Sequence, residues 1–576
     1  MSYKVGLNLV EGLGGAVPVE GAATGVTGLI GTFLKGPLNV ATPCYSWAHF
    51  QSLFGYAPAP GTTSYYSVKA FFQNAPSGVL HVVRVAASAA AKATLTCNDR
   101  NSSPASTLRI DANSQGAWGN NISAAITDSN ILTTTLAADV SASAVSALLT
   151  STGGLEVGSD IHFHDATHDE YRRLNQVDHA TGRVYWATGT GLTNAFTAAT
   201  ATITSMEFAI VIYYSGVAIK TYSGLSMNND VSFFCEKMVV DDAYITVTDL
   251  KSVNTDYKDL PVVAAVAALT SGADGLSGVV ASDYVGVQAS KSGMYAFDNV
   301  SNLFRFCCPN PKLTDQAPTT AYASLVQSLL TYANNRPMPA EFYGDIPYGT
   351  SVTNSVIFAG NYEGRLLTLF WPWLKVVENG INIWLPPSSF VLGVAVNKDD
   401  RRGVHKNVGN ESISYAYDLE YQVSGTEGEA LNDVGVNTIR RFAGRGILTY
   451  GGRTRSAETK WRFLNWSEYA NYLGSSLMNA MWDVPFEVNN AQLWSRTRQR
   501  VSEFLATEQQ KGALFNPLNP GAPAYTVVID GSNNTGATIA AGEFFIAFTY
   551  TPAGVAEKVI VAMTHDPSGG WLLSIA

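Results

Sequence analysis

The sequence predicts an α/β and all-β multidomain fold, in which α/β units carry β-rich peripheral insertions and extended terminal arms. Three observations support it. The 576 residues exceed the size at which one hydrophobic core stops growing, so we expect three or four domains. Helix-like and strand-like segments alternate in two stretches, and the stretch between them is rich in Ala, Thr, Ser and Asn, which is typical of β-structure. Both ends carry short apolar segments beside glycines.

Composition limits the classes of partner. Hydrophobic residues make up 46% of the chain and charged residues 14%, against a usual charged share of about a quarter. A surface so poor in charge indicates contact with other protein. The net charge of -10 argues against direct nucleic-acid binding, which needs a concentrated basic face. We expect a soluble chain without direct membrane contact, because no apolar run reaches about 18 residues. No secretory signal is visible, so we expect synthesis in the cytoplasm.

The cysteines indicate neither a disulfide framework nor a zinc site. Their number is odd and no pair has CxxC spacing, so buried free thiols are predicted. The five are Cys44, Cys97, Cys235, Cys307 and Cys308.

The first 20 residues predict an extended arm. Val5, Leu7 and Leu9 alternate with polar or small residues, as in a strand, and a hinge follows at Gly12, Gly14 and Gly15. An isolated strand needs a sheet edge to pair with, and that edge can belong to another subunit.

Residues 25–85 predict a compact α/β unit. A buried strand covers 26–33, a helix begins after Ser46 as N-cap, a second helix covers 65–72, and a strand covers 79–85. Between about 86 and 250 the pattern predicts β-rich modules, with strands at 122–126 and 208–214. Residues 133–206 are interpreted as a separate peripheral insert with strands at 158–164 and 181–186.

Residues 255–450 predict an α/β layer, with a helix at 322–334 and strands at 355–359 and 366–371. Two helices follow at 467–482 and 491–510, then strands near 525–530, 543–549 and 558–563. The tail 566–576 has a hinge at Gly569 and Gly570. Its apolar residues, predicted to pair with a neighbouring subunit rather than fray or fold back, are Trp571, Leu572, Leu573 and Ile575.

One cluster has the residue types of a metal site. His162 and His164 would share one face of a strand, with Asp165, His168 and Asp169 nearby. A polar strand and turn is the preferred interpretation, so neither a metal nor another cofactor is predicted. The chain has no GxxxxGK[ST] loop, no GxSxG elbow and no HExxH helix. His405 beside Arg401 and Arg402 resembles a phosphate or acid-base site, but a structural role in a turn is preferred, and no enzyme is predicted.

Four groups of residues, in one order along the chain, resemble the contractile tail sheath family. The first holds Gly28-Leu29-Ile30-Gly31-Thr32, Gly36-Pro37-Leu38-Asn39 and Ser46-Trp47-Ala48-His49-Phe50. The second holds Gly116-Ala117-Trp118-Gly119-Asn120 and Tyr222-Ser223-Gly224-Leu225. The third holds Gly272-Ala273-Asp274-Gly275, Phe370-Trp371-Pro372-Trp373, Leu385-Pro386-Pro387-Ser388 and Arg402-Gly403-Val404-His405-Lys406. The fourth holds Gly444-Arg445-Gly446-Ile447, Gly452-Arg453-Thr454 and Arg462-Phe463-Leu464-Asn465. Phe370-Trp371 departs from the family, where tyrosines are more usual, and so does Thr270-Ser271, where glycine is more usual.

The resemblance implies a structural subunit of a contractile tail sheath. In that family, subunits stack as six-fold rings around a tail tube, terminal arms extend the sheet of a neighbour, and contraction drives the tube through the host envelope. The implied partners are further copies of the chain, the tail tube protein, and the baseplate and tail terminator proteins. The implied location is the virion tail, assembled in the host cytoplasm.

The resemblance also implies a division of the chain, with the C-terminal and opening segments nearest the tube. The predicted units are an N-terminal arm (1–20), an inner tube-facing α/β domain (21–92 with 452–565), a β-rich outer domain (93–132 with 207–250), a variable insert (133–206), a central α/β domain (251–451) and a C-terminal arm (566–576).

Two alternatives stay open. In the predicted helix 491–510, Arg496, Arg498 and Arg500 point away from an apolar stripe; they either face acidic groups on the tube or form an ordinary solvated face. The second function considered is a tail-surface decoration or receptor-binding protein, whose β-rich insert would contact host glycans.

Overall fold

The computed structural model describes residues 19–251, 256–309, 320–557, 561–565 and 571–575. The first sixteen strands are β1 (Val26–Gly31), β2 (Thr42–Cys44), β3 (Val79–Arg84), β4 (Thr94–Asn98), β5 (Ser106–Ala112), β6 (Ile122–Asp128), β7 (Thr133–Thr135), β8 (Ser146–Leu148), β9 (Asp160–His164), β10 (Asp169–Asp178), β11 (Arg183–Trp186), β12 (Thr202–Ser205), β13 (Phe208–Tyr214), β14 (Val217–Leu225), β15 (Ile245–Asp249) and β16 (Ala264–Ala268). The others are β17 (Arg305–Cys307), β18 (Glu341–Asp345), β19 (Leu367–Trp371), β20 (Leu374–Glu378), β21 (Ile381–Leu385), β22 (Asp418–Leu419), β23 (Val436–Phe442), β24 (Gly446–Tyr450), β25 (Tyr525–Val528), β26 (Ala547–Tyr550), β27 (Val561–His565) and β28 (Trp571–Ile575).

The helices connect and cover these strands. They are α1 (Trp47–Phe54), α2 (Ser64–Asn74), α3 (Cys235–Met238), α4 (Ala281–Val285), α5 (Thr320–Asn335), α6 (Val352–Gly360), α7 (Ser388–Arg402), α8 (Gly425–Asp433), α9 (Leu464–Ala480), α10 (Ala491–Gln510) and α11 (Gly536–Ala540). Short 3₁₀ helices lie at Ala117–Asn121, Tyr257–Asp259, Gln288–Ser290, Gly293–Asn299 and Thr459–Trp461.

An eight-stranded sheet forms the centre of the molecule, in the order β2-β3-β1-β17-β18-β19-β23-β24. Neighbouring strands from β3 to β23 are parallel, and the edge strands β2 and β24 are antiparallel. Side chains alternate between its faces, so Leu29 and Tyr343 enter one core while Ile30 and Phe342 enter the other. Helices cover both faces, as a largely parallel sheet requires.

This sheet joins segments that the predicted division of the chain keeps apart. The division groups 21–92 with 452–565, but β1 and β3 pair in one sheet with β17, β18, β19, β23 and β24 of the segment 251–451. Parallel pairing joins segments far apart in sequence, and hydrophobic periodicity does not indicate which segments pair.

Most predicted elements around the sheet are confirmed. Ser46 is the N-cap of α1, and its hydroxyl accepts a hydrogen bond from the backbone N–H of His49 at 3.1 Å. The strand predicted at 355–359 is wrong, because these residues lie inside helix α6. Ser351 caps that helix by accepting from Asn354 N–H. A short apolar run fits a strand and a buried helix equally well.

Seven strands enclose a third core. The sheet β14-β13-β6-β16 and the sheet β15-β5-β4 share it. Bridges between Asp99 and Pro261 and between Thr94 and Thr270 bring β4 alongside β16. The two sheets therefore wrap around a single apolar interior.

Strands β7 to β12, between residues 133 and 205, pair with one another in the order β7-β12-β9-β10-β11-β8 and enclose a fourth core. This segment leaves the seven-stranded unit after β6 and returns at β13. At the junction, the buried Glu207 carboxylate accepts Ile131 N–H at 2.8 Å and the Ser205 hydroxyl at 2.6 Å.

The C-terminal unit has a fifth core, formed by α9, α10, β25 and β26. Val19 and Ala22, at the start of the described chain, pack against the same core. None of the described helices is long and apolar enough to cross a membrane.

Candidate assembly surfaces

A two-stranded sheet lies on the helices of the C-terminal unit. β25 and β26 are antiparallel, and within the described residues neither pairs with a third strand. Alternate residues are half-buried against the core of α9 and α10, and those between them are mostly exposed. The half-buried residues are Tyr525, Val527, Phe548 and Tyr550.

Neither β25 nor β26 is covered along its outer edge by another described strand, although Leu514 bridges Pro552 just past the end of β26. Thr551 N–H donates to the carbonyl of Ala524 at 2.8 Å. Inward and outward groups alternate along an antiparallel ladder, so the N–H groups of Val527 and Phe548 point away from the partner strand. These outward groups can therefore pair with a further strand at the middle of either edge.

The predicted C-terminal arm forms half of a separate hairpin. β28, which holds Trp571, Leu572, Leu573 and Ile575, pairs antiparallel with β27. The structure thus places the arm against the strand before it in the same chain. The predicted hinge at Gly569 and Gly570 lies outside the described residues.

The N-terminal segment enters along α9. Ala22 N–H donates to the Ser476 hydroxyl at 2.8 Å, and a Cβ on Gly21 would lie 2.3 Å from the Tyr472 hydroxyl. The predicted arm residues Val5, Leu7 and Leu9, and the predicted hinge at Gly12, Gly14 and Gly15, lie outside the described residues.

The structure separates the three arginines of α10. Arg498 is exposed and Arg496 is half-buried, but Arg500 is only 2% exposed. Arg500 pairs with Asp483 at 3.1 Å and donates to the carbonyl of Ala480. The prediction that Arg500 faces outward is therefore wrong. It lies between Thr497 and Phe504 on the buried face. Its acceptors lie at the end of α9 and in the turn that follows, outside helix α10 itself.

The turn between α9 and α10 exposes large apolar side chains. Trp482 is 81% exposed, Val488 is 73% exposed, and Phe486 is fully exposed with a backbone φ of 71°. Sequence periodicity assigned Trp482 to a helix that in fact ends at Ala480.

Three motifs of the sheath resemblance, one from its third group and two from its fourth, meet at Asn407. Its amide donates to the carbonyl of Gly452 at 2.8 Å and to Asn465 Oδ1 at 3.1 Å. Asn465 donates in turn to the carbonyl of His405 at 2.9 Å. A Cβ on Gly452 would overlap Asn407 Oδ1 at 1.6 Å, so glycine is required there. His405 serves in this turn as a backbone acceptor.

A buried ionic cluster joins the C-terminal unit to the central sheet. Arg305, at the start of β17, pairs with Asp399 of α7 at 2.7 Å and with Glu468 of α9. All three side chains are at most 2% exposed. Burial alone would raise the pKa of Asp399, but Arg305 and Lys398 outweigh it and hold that pKa below the usual value.

Glu341 lies beside this cluster on β18. It accepts hydrogen bonds from the Thr368 hydroxyl at 3.0 Å and the Ser467 hydroxyl at 3.1 Å. Burial, with a contribution from Glu468, raises the pKa of Glu341 to about 8. The side chain is therefore mostly protonated at neutral pH.

The histidine cluster of the insert is a ring stack. His162 Nε2 lies 2.8 Å from Asp169 Oδ1. Its ring stacks on His164 at 4.9 Å and on Tyr171 at 4.3 Å, and Tyr171 stacks on Tyr257 at 3.6 Å. Among the described residues, no group of three His, Cys, Asp or Glu side chains has the arrangement of a metal site. Asp165 caps the adjoining turn by accepting from Thr167 and His168.

The prediction of buried free thiols is confirmed, because all five cysteines are buried and unpaired. Burial raises the pKa of Cys44 to about 12 and that of Cys97 to about 11. Both stay protonated at neutral pH.

Comparison with curated proteins identifies relatives that share a quarter or less of aligned residues. The chain is 23% identical over 295 residues to the tail sheath protein of Vibrio phage KVP40, covering 48% of this chain and 39% of that protein. It is 24% identical over 210 residues to the tail sheath protein of Escherichia phage P2, covering 34% of this chain and 50% of that protein. The match thus spans half or less of each relative's length. No family model matches the chain.

Solved structures extend the likeness over nearly the whole fold. The contracted helical sheath of the anti-feeding prophage matches with a TM-score of 0.53 at 16% identity, covering 98% of this chain and 100% of that chain. A sheath tail protein from Listeria innocua matches with a TM-score of 0.53 at 11% identity, covering 93% and 96%. The resemblance to contractile tail sheath proteins is confirmed, and the mixed α/β architecture with several sheets is a sheath protein fold.

The raised pKa of Glu341 makes stability depend on pH. The unfolded pKa is about 4.3, so between there and about 8 the folded chain holds a proton that the unfolded chain lacks. Stability therefore falls as pH rises through this window, by at most about 1.4 kcal/mol per unit. The neutral Glu341→Gln variant should lose less thermal stability than wild type between pH 5 and pH 9. If the melting temperatures of the two proteins changed equally with pH, the raised pKa of Glu341 would be contradicted.

Proposed function

We propose that this chain is the structural subunit of a contractile tail sheath, which polymerises as stacked six-fold rings around a tail tube and contracts to drive the tube through the host envelope. The likeness in sequence and fold to sheath proteins supports the class. The observation that carries the assembly mechanism is the β25–β26 sheet, which is half-buried on one face and pairs with no third strand within the described residues.

Strand addition suits these edges. A strand from a neighbouring copy would gain backbone hydrogen bonds along β25 or β26, and its alternate side chains would extend the face over α9 and α10. The N-terminal arm, and the C-terminal strand within its hairpin, are the elements proposed to reach a neighbour. Glycines at both ends would let these connections persist while the subunits repack.

Contraction needs two packings of the same subunits with different contacts. The proposed energy source is the difference between those packings, so neither a nucleotide nor another cofactor is required. No catalytic role is proposed. The chain is placed in the virion tail, with assembly in the host cytoplasm and no direct contact with nucleic acid or membrane.

The positions of the partners follow from the same proposal. The C-terminal unit is placed nearest the tube, where Arg498, and Arg496 in part, remain available to acidic groups. Arg500 is excluded by its burial against Asp483. The insert 133–206 is placed at the periphery, and the baseplate and tail terminator proteins at the two ends of the polymer.

Deletion of residues 1–20 should leave folded subunits that do not polymerise. Of the described residues the deletion removes only Val19 and Glu20, and the hydrogen bond from Ala22 N–H to Ser476 stays, so the subunit should stay folded while the proposed arm is lost. Sedimentation and negative-stain electron microscopy measure polymer formation. Long sheaths from the truncated chain would contradict the arm's role.

Val527→Pro should block strand addition at the β25 edge. Proline removes the outward N–H without touching the ladder to β26. Val527→Ala is the matched control, because it loses side-chain packing but keeps the N–H. We expect the proline variant to assemble far less than the alanine variant at equal thermal stability. Equal assembly by both would show that this edge accepts no strand.

A further inference from the structure

A concentrated basic patch stands out on a chain whose net charge is -10. Three cationic side chains surround the single carboxylate of Glu411: Arg401 at 2.8 Å, Lys406 at 3.5 Å and Arg402 at 4.0 Å. Arg445 reaches the same place and donates to Asn410 Oδ1 at 2.8 Å. We define Arg401, Arg402, Lys406 and Arg445 as the basic patch.

The local carboxylates leave this patch positively charged. Glu411 is one negative charge against four cations, and its side chain is only 10% exposed. Asp400, the exposed neighbour in α7, makes no ion pair with the patch within the described residues. Arg402 is 57% exposed. Crowding also affects Lys406: burial lowers its pKa, and Arg402 adds to the effect.

An acidic face lies on the other side of the central sheet. Glu429 and Asp433 are one helical turn apart on α8, and both are exposed. Glu363 follows α6, which packs beside α8; it is exposed as well, and the half-buried Arg455 lies near it. Asp433 lies 3.7 Å from Arg453, whose guanidinium is held mainly by Glu557. We define Glu363, Glu429 and Asp433 as the acidic face.

One copy cannot bring these two surfaces together. Leu431 of α8 belongs to the core on one face of the eight-stranded sheet. Val408, which lies between Lys406 of the basic patch and Glu411, belongs to the core on the other face. The full thickness of the sheet therefore separates the patch from the acidic face.

We propose that the basic patch of one copy contacts the acidic face of the next copy. Two different surfaces in contact make a head-to-tail interface, which propagates instead of closing as a two-fold dimer does. Complementary charge would set the register between copies and suppress wrong contacts. This inference rests on the proposed function, because it requires that copies stack.

Charge reversal tests the contact in both directions. The patch variant carries Arg402→Glu and Arg445→Glu, which leaves Arg401 and Lys406 to neutralise Glu411. The face variant carries Glu429→Lys and Asp433→Lys. Lys291→Glu with Lys460→Glu is the control, because it changes net charge as much as the patch variant but lies outside both surfaces. Thermal melting checks that each protein is folded.

Each variant alone should need about tenfold or more protein to polymerise at low salt, because like charges then meet. An equimolar mixture should recover wild-type assembly, since each reversed surface now matches the other variant. The control should assemble like wild type. Assembly of either variant at the wild-type concentration overturns the contact, and so does a mixture that fails to recover.

Wild-type protein in the same buffer separates this inference from the proposed function. If wild type forms no polymer, the sheath proposal itself fails. If wild type polymerises and the variants follow it, only the charge contact fails.

Discussion

The buried pairing of Arg305 with Asp399 and Glu468 is the constraint on which the rest of the arrangement depends. Taking these ions out of water costs several kcal/mol each, and only close pairing offsets the cost. Removal of one partner would leave a buried charge and cost about 3–5 kcal/mol. The three residues belong to β17, α7 and α9, so the cluster fixes the C-terminal unit against the central sheet.

That connection links the proposed contacts to one another. Asp399 lies two residues before Arg401 on α7, so the buried ionic cluster also positions the basic patch. Glu468 lies on α9, which with α10 supports the open β25–β26 sheet. A change of packing at the basic patch or at the β25–β26 sheet therefore acts on a frame formed by the central sheet and the C-terminal unit, which the ionic cluster holds together. Such a frame would suit the proposed contraction, in which each subunit moves as one body.

Local sequence pattern predicted the elements well but not their association. Helix 491–510 and strand 208–214 were predicted with their observed bounds, because each is periodic over a sufficient length. The run at 355–359 was too short to distinguish a helix from a strand. The parallel pairing of β1 with β17 joins residues far apart in the chain, and periodicity carries no signal for it. The family resemblance, by contrast, rests on single residues, and a close contact can require one residue type at such a position. Gly452 is an example, because a Cβ there would overlap Asn407. The burial of Arg500 depends on Asp483 in a turn, so helix periodicity alone placed it wrongly.

Negative-stain electron microscopy of the purified, concentrated protein, with and without its tail tube, would show whether this chain polymerises as a sheath. A sheath subunit should form hollow striated tubes, or rings that stack into them. Discrete trimers or monodisperse particles at every concentration would contradict it and would favour a decoration or receptor-binding protein.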